Sequence, residues 1–267
     1  MTVALAVRGA TKRFGAVLAL DDVDLQVDAG EVLALLGDNG AGKSTLIKCI
    51  SGVHRLDAGA IEIDGRPANI ASPAAARAHG IETVYQDLAL FDNLDPAANF
   101  YAGREDAGPT WLPRPFRVLR RHAMANATDA VLNRLQVTLP DASANVGLMS
   151  GGQRQVIAVA RAAAFASKVV ILDEPTAALG VRESRRVLDL ILRLRAEGHA
   201  VIVISHAMDH VTEVADRAVV MRRGRTVGEE IPSPESQGRI VALIVGSAAE
   251  YADPTHNPTS PSGPNTV

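Results

Sequence analysis

The sequence predicts an α/β fold built on a doubly wound parallel sheet. Three short apolar runs, at residues 32–36, 169–172 and 200–204, are rich in Val, Ile and Leu, and each ends at polar or glycine residues. Runs of this kind are typical of buried parallel strands. A segment with helical spacing follows each run, and this alternation of strand and helix favours a sheet with helices on both faces.

Weak alternation near the N-terminus predicts a second, antiparallel sheet. Residues 3–7, 16–27 and 60–63 alternate between apolar and polar side chains, as strands with one buried face do. We expect this sheet to lie beside the parallel one. The helices predicted after the three core strands cover residues 43–51, 182–197 and 208–215.

Residues 87–165 are predicted to form an inserted helical subdomain. The strand pattern fades there, and residues 123–135 carry apolar side chains at helical intervals. Residues 104–121 combine Gly, Pro and several Arg, which is typical of an irregular exposed loop. We expect one domain over residues 1–250 that contains this insertion. A disordered tail rich in Pro, Ser and Thr is expected to follow at 251–267.

Composition limits the classes of function. The formal net charge of −3 supplies no basic field to neutralise phosphates, so we expect no nucleic-acid partner. Cys49 is the only cysteine, which excludes an intramolecular disulfide and a multi-cysteine metal site. No apolar run approaches the roughly 18 residues that a spanning helix needs, and the N-terminus lacks the basic segment of a secretory signal. We therefore expect a cytoplasmic chain.

The segment GDNGAGKS is the strongest motif in the chain. It follows the apolar run VLALL and precedes a helical pattern, which is the spacing and the context of a phosphate-binding loop. Its glycines let successive N–H groups face the phosphates of a nucleotide, while Lys43 adds a positive charge and Ser44 can bind Mg²⁺. Alone, the loop fits a kinase or a GTPase almost as well as another ATPase. The predicted nucleotide-binding residues are Gly37, Asp38, Asn39, Gly40, Ala41, Gly42, Lys43, Ser44 and Thr45.

Two carboxylates end the second apolar run. The segment VVILDE places Asp173 and Glu174 at the carboxyl edge of the predicted sheet, where open α/β sheets bind their ligands. We expect Asp173 to hold Mg²⁺ and Glu174 to polarise the attacking water as a general base. A solvated strand end is the alternative interpretation.

A second anion site is predicted at the start of a later helix. The segment MSGGQRQ places Ser150, Gly151, Gly152 and Gln153 just before a helical pattern, where a hydroxyl and free N–H groups can bind an anion. One chain has no need for two phosphate cradles. The second cradle makes sense if it serves the nucleotide bound by another copy.

The ordered set GDNGAGKS, Gln86, MSGGQ, VVILDE and His206 resembles the nucleotide-binding subunit of ATP-binding cassette (ABC) transporters. The resemblance extends to about residue 250 and includes the spacing, since His206 lies 33 residues after Asp173. It implies the P-loop NTPase fold of these cassettes and an ATPase activity that uses Mg²⁺. It also implies a head-to-tail homodimer, in which each ATP lies between one chain's phosphate loop and the other chain's Ser150 segment.

The resemblance assigns roles to three further residues. Gln86 would approach Mg²⁺ or the attacking water, and His206 would contact the γ-phosphate beside Glu174. Phe14, in KRFG, would stack on adenine. The alternatives are a polar strand end for Gln86, a structural histidine for His206 and a core phenylalanine for Phe14.

Further segments resemble one branch of the family. PTAALGVRES and GIETVYQDLAL look like the importers of ribose, xylose and fructose, and the chain is most similar to the single-cassette fructose type. This implies transmembrane permease subunits, indirectly a periplasmic sugar-binding protein, and a peripheral position on the cytoplasmic face of the inner membrane. Met149 and Gly180 stand where the family usually has Leu and Asp, although glycine is familiar in this branch.

A cassette ATPase that acts on DNA or ribosomes is the alternative function. Such proteins usually carry a long coiled coil between the nucleotide motifs or two cassettes in tandem, and the sequence has neither. A GTPase is a third possibility, but the guanine-reading NKxD pattern is absent. The sequence does not name the sugar, because selectivity would belong to the partners.

Overall fold

Two β-sheets and the helices packed on them form the main body of the chain. The computed structural model describes residues 2–109, 111, 113, 116–139 and 141–247, so the predicted tail lies outside the described residues. The strands are β1 (Val3–Phe14), β2 (Val17–Asp28), β3 (Val32–Leu36), β4 (Ala58–Ile63), β5 (Arg66–Pro67), β6 (Ile81–Val84), β7 (Ala107–Gly108), β8 (Val118–Leu119), β9 (Val169–Asp173), β10 (Ala200–Ile204), β11 (Arg217–Arg222) and β12 (Arg225–Glu230). The helices are α1 (Lys43–Ile50), α2 (Pro73–Ala78), α3 (Pro96–Tyr101), α4 (Arg121–Arg134), α5 (Gly151–Phe165), α6 (Val181–Ala196), α7 (Met208–Val214) and α8 (Gln237–Val245).

The larger sheet has the order β12-β11-β3-β10-β9-β6. Its strands run parallel from β11 to β6, and β12 pairs with β11 in the antiparallel sense. A four-stranded sheet of order β2-β1-β4-β5 lies at the N-terminal end of the chain, and its strands pair antiparallel. The predicted α/β class, with a mixed core sheet and an N-terminal antiparallel sheet, is confirmed.

The middle strands of the large sheet are buried on both faces. All five residues of β3 are buried, and their side chains alternate between two sides of the sheet. Leu33 and Leu35 join a core that contains residues of the antiparallel sheet and of α1, whereas Val32 packs with α5 and α6. Full burial of one such side chain contributes about 1.5–3 kcal/mol. This two-sided burial explains why β3 reads as a continuous apolar run.

Helices dominate the stretch predicted as a helical insertion. It contains α3, α4 and α5, and also the short antiparallel pair β7–β8 inside the segment predicted to be irregular. Arg161 of α5 donates hydrogen bonds to the carbonyls of Leu88 and Ala89, both at 2.9 Å. These bonds attach the segment after Gln86 to α5. The described residues contain no helix long and apolar enough to cross a membrane.

Candidate functional site

The predicted phosphate loop joins β3 to α1, and close packing requires glycine at two of its positions. Gly37 has φ 146°, and a Cβ there would overlap the carbonyl oxygen of Met221 in β11. Gly42 caps α1 at φ 105°, and a Cβ there would lie 2.8 Å from the carbonyl oxygen of Ala19. Only glycine combines this backbone with such close neighbours. The loop is therefore held between β2 and β11.

Lys43 folds back across this loop. Its side chain is buried, and Nζ donates hydrogen bonds to the carbonyls of Gly37 at 2.7 Å and Asp38 at 3.0 Å. Burial lowers the pKa of Lys43, and the negative charge of Glu174 opposes that effect. A buried ammonium group that bonds to loop carbonyls is suited to the phosphates of a nucleotide, which supply the negative charge that carbonyls lack.

One cleft of about 530 Å³ brings most of the predicted site residues together. Parallel strands end at the same edge of a sheet, and the cleft lies where β3, β6, β9 and β10 end. The predicted residues that line it are Asn39, Gly40, Ala41, Gly42, Lys43, Ser44, Thr45, Gln86, Asp173, Glu174 and His206. Four segments that are far apart in sequence therefore share one cavity of the size that binds a small molecule.

Glu174 and His206 face each other in this cleft. Nε2 of His206 lies 3.2 Å from Oε1 of Glu174. That oxygen is buried, and it makes no hydrogen bond of good geometry within the described part of the chain. Burial raises the pKa of Glu174, the nearby imidazole of His206 opposes this, and Asp173 raises the pKa further. A carboxylate with a raised pKa and a free oxygen can accept a proton from water.

The oxygen donors of the cleft suit Mg²⁺ held mainly by water and phosphate. Ser44, Gln86 and Asp173 line the cavity. Among residues 2–109, 111, 113, 116–139 and 141–247, no group of three or more His, Cys, Asp or Glu side chains could hold a metal ion. Mg²⁺ commonly binds through one or two carboxylates, several waters and the phosphates of its substrate. Burial raises the pKa of Asp173, and Lys43 opposes that rise.

Phe14 lies beside the cleft and does not line it. The ring is 43% exposed. It contacts His54 edge to face with the centroids 5.1 Å apart, and Nζ of Lys12 lies 5.6 Å from its centroid. Residues 17–19 of the next strand do line the cleft. A ring in this position can be reached by a base, and stacking on adenine remains a prediction.

The Ser150 segment lies apart from the cleft. Ser150 caps α5 in a reciprocal arrangement, in which the N–H of Gln153 donates to its hydroxyl and its own N–H donates to the Gln153 side chain. None of the four residues Ser150, Gly151, Gly152 and Gln153 lines the cleft with Lys43. Ser150 and Gly151 are exposed. The structure thus separates the two predicted anion sites within one chain.

The turn between β11 and β12 belongs to the cleft, and the sequence analysis missed it. Arg223 and Gly224 line the cavity. The N–H of Gly224 donates to the carbonyl of Ala41 in the phosphate loop at 2.9 Å, and the N–H of Asp21 donates to the carbonyl of Gly224 at 2.8 Å. The sequence carries a weak signal here, the basic turn RRGR.

Comparison with known proteins agrees with this arrangement. The family described as ABC transporter matches residues 20–177. The chain is 50% identical over 244 residues to the fructose import ATP-binding protein of Rhizobium meliloti, an alignment that covers 91% of this chain and 94% of that one. It is 45% identical to the xylose/arabinose import ATP-binding protein of Sulfolobus acidocaldarius, with coverage of 84% and 86%. A ribose import ATP-binding protein of Rubrobacter xylanophilus is 43% identical over 94% of this chain, which spans only 48% of that protein.

Solved structures share the fold. A nucleotide-free ATP-binding cassette from an ABC transporter superposes with a TM-score of 0.78 at 25% identity, over 90% of this chain and 98% of that one. The ADP conformation of another such cassette gives a TM-score of 0.77 at 25% identity, over 92% of this chain and 100% of that one. The fold thus has counterparts among solved ATP-binding cassettes, and, with the family match over residues 20–177 and a relative 50% identical over 91% of this chain, the chain belongs to the ABC transporter family.

Proposed function

We propose that the chain is the ATP-hydrolysing subunit of an importer for a monosaccharide such as fructose, ribose or xylose. The observation that carries the proposal is the single cleft in which Lys43, Gln86, Asp173, Glu174 and His206 meet. The names of the relatives support sugar import as the process that hydrolysis drives. The sugar itself would bind to the partners.

The residues of the cleft divide the work of hydrolysis. Lys43 and the N–H groups of the phosphate loop bind the phosphates of ATP. Ser44, Asp173 and Gln86 would hold Mg²⁺, which would supply positive charge beside the phosphates. Glu174 accepts the proton of the attacking water, for which its raised pKa prepares it. His206, whose Nε2 lies 3.2 Å from Oε1 of Glu174, contacts the γ-phosphate in this proposal.

We further propose that two copies complete the sites head to tail. The support is the separation of the Ser150 segment from the cleft, together with the exposure of Leu148 (83%) and Val181 (89%) beside that segment. Solvent-exposed apolar side chains next to an exposed helix N-terminus are suited to an interface. In the dimer, Ser150 of one copy would face the nucleotide held by the Lys43 loop of the other.

The permease is proposed to bind in a groove beside α3. A largely apolar cavity of about 560 Å³ lies between α3 and the start of α4, and Phe91, Leu94, Tyr101 and Met124 line it. The segment from Gln86 to this groove is short, so movement in the groove can reach the cleft. In this proposal the chain is a peripheral subunit on the cytoplasmic face of the inner membrane, and a periplasmic sugar-binding protein acts indirectly.

Reconstitution tests the proposal. The chain is assembled in proteoliposomes with a permease and a sugar-binding protein from the same source, and ATP hydrolysis is measured over a panel of pentoses and hexoses. We expect one sugar to stimulate hydrolysis in wild type and not in Lys43→Ala. Copurification of the chain with DNA or ribosomes, without a polytopic membrane protein, would instead favour the alternative ATPase function.

A further inference from the structure

We propose that His210 is a positioning residue for Glu174 and acts through Thr176. This inference rests on the proposed role of Glu174 as the general base. It concerns the backbone that carries this carboxylate, because a base that shifts by 1 Å loses much of its rate. Thr176 and His210 are not among the residues that the sequence analysis assigned to the site.

The backbone at Glu174 is strained. Glu174 has φ 51°, and Ala178 in the same loop has φ 58°. Residues other than glycine adopt this left-handed conformation at a cost, and they keep it only when the surrounding structure holds them there. Two backbone bonds contribute, from the N–H of Glu174 to Ile204 at 3.0 Å and from the N–H of Ala177 to Glu174 at 3.1 Å. Both lie close to Glu174, and neither attaches the following loop to a helix.

The hydroxyl of Thr176 provides that attachment. Thr176 is 8% exposed, and its Oγ1 lies 3.0 Å from Nδ1 of His210, a hydrogen bond between the loop and α7. Around this bond lies a small, mostly apolar cavity, lined among others by Pro175, Leu188 and Val203. A hydroxyl that is buried among apolar groups is costly to leave unpaired, so the bond strongly favours the observed loop position.

The same segment contacts the Glu174 loop at two points. His206, just before α7, lies 3.2 Å from the carboxylate of Glu174, and His210 in the first turn of α7 bonds to Thr176 two residues later. The side chain of Glu174 and the loop that follows it therefore both contact residues 206–210. This arrangement fixes the distance between Glu174 and His206 while the loop remains strained.

Two variants remove the bond and one restores it. His210→Ala deletes the imidazole, and Thr176→Val replaces the hydroxyl by a methyl group of the same shape. In the assembled importer we expect each variant to lower kcat for ATP hydrolysis about 10- to 100-fold, with the KM for ATP within about twofold of wild type because the phosphate loop is untouched. His210→Asn places an amide near the position of Nδ1 and is expected to recover most of kcat, whereas His210→Gln is not.

Thr212→Val is the matched control. Thr212 lies on the same helix, and its hydroxyl is buried with no hydrogen-bond partner within the described ranges, so its removal should leave kcat unchanged. Hydrogen exchange supplies a readout that is independent of activity. Amides of residues 174–180 should exchange faster in His210→Ala and Thr176→Val than in wild type, and His210→Asn should restore protection.

The outcomes separate this inference from the proposed function. Wild-type kcat in both His210→Ala and Thr176→Val would overturn the inference, and so would unchanged exchange at residues 174–180. A rise in KM in place of a fall in kcat would also overturn it, since that would indicate a role in binding. If wild type hydrolyses no ATP, the proposed function fails, and hydrogen exchange still tests the attachment of the loop to α7.

Discussion

At the scale of single residues, the cleft places three ionisable side chains where burial disfavours their charged forms. Lys43, Asp173 and Glu174 are all withdrawn from water, and burial is the largest influence on the pKa of each. Burial favours the neutral form of every one of these groups. A ligand with both phosphate and Mg²⁺ places opposite charge beside all three groups and so stabilises their charged forms. The burial that makes these charges costly in the free chain therefore favours binding of such a ligand.

Glu174→Gln is expected to bind ATP normally and to lose turnover. The amide keeps the shape of the side chain but cannot accept the proton from water, and general base catalysis contributes about 10²- to 10⁴-fold. Binding is measured by equilibrium titration and turnover by phosphate release with the permease present. Asp209→Asn, which changes an exposed carboxylate on α7, should retain wild-type turnover. Near-normal hydrolysis by Glu174→Gln would remove Glu174 as the base.

The pH dependence of stability should also reveal Glu174. Its pKa is raised above the ordinary 4.5, so just above pH 4.5 the folded chain keeps a proton that the unfolded chain has lost. The free energy of unfolding therefore falls as pH rises through this window. Glu174→Gln removes the contribution of this carboxylate to the fall in the free energy of unfolding. We expect a higher Tm than wild type at neutral pH and equal values near pH 4, as measured by calorimetry without nucleotide; a gap that persists in acid would contradict this.

At the scale of elements, side chains of α3 and α5 hold the segment that follows Gln86. Arg161 binds two carbonyls just after Gln86. Asn99 of α3 is fully buried, accepts the N–H of Phe91 at 2.7 Å and donates to the carbonyls of Phe91, Leu94 and Asp95. The Asn99 amide and the backbone bonds from the N–H groups of Val146 and Gly147 to the carbonyls of Leu94 and Asp92 thus hold the wall of the proposed permease groove together.

Asn99→Ala should destabilise the chain. It removes the hydrogen bonds of the Asn99 side chain, and the N–H of Phe91 loses the acceptor that lies 2.7 Å away, so we expect a loss of about 1–3 kcal/mol. Urea denaturation measures the loss. Asn133→Ala, an exposed change on α4, is the matched control and should lie within about 0.5 kcal/mol of wild type. Equal midpoints for the two variants would show that water replaces the bonds of Asn99.

Element patterns explain which parts of the fold were predictable. The strands β3, β9 and β10 are continuous apolar runs, so their burial is visible in the sequence. The short strand β6 has polar residues at two of its four positions, and the sequence analysis missed it together with β11, β12 and α8. The position of Arg223 in the cleft is unpredictable for another reason. The turn that carries it packs against the loop at residue 41 because β11 lies next to β3, and no local pattern in the sequence gives this strand order.

At the scale of the whole molecule, the two predicted anion sites lie apart. Residues 150–153 do not line the cleft at Lys43. They form the N-terminal cap of α5 instead. The sequence motifs predict both anion sites, because the residue types and the spacing of each motif are local features of the sequence. Their separation in one chain is a three-dimensional fact that the sequence could only imply through the resemblance.

ATP should convert the Glu174→Gln chain from monomer to dimer. Blocked hydrolysis keeps the nucleotide between the copies, and sedimentation measures the mass with and without Mg-ATP. Adding Ser150→Arg should prevent the dimer, because a bulky cation would replace the hydroxyl that faces the partner's nucleotide. Ser143→Arg, also at an exposed position, is the control and should dimerise. A chain that stays monomeric at saturating ATP would contradict the head-to-tail arrangement.

The bond between Gly224 and Ala41 also has a consequence for how the protein is made. The phosphate loop packs against Met221 and Gly224. A nascent chain that has been synthesised only as far as residue 42 therefore lacks residues that support this loop. At 5–20 residues per second, about 10–40 s of elongation separate the loop from those residues. We therefore expect the chain to bind nucleotide only late in its synthesis. A fragment that ends before β11 would contain the glycine-rich loop but lack the residues that pack against it.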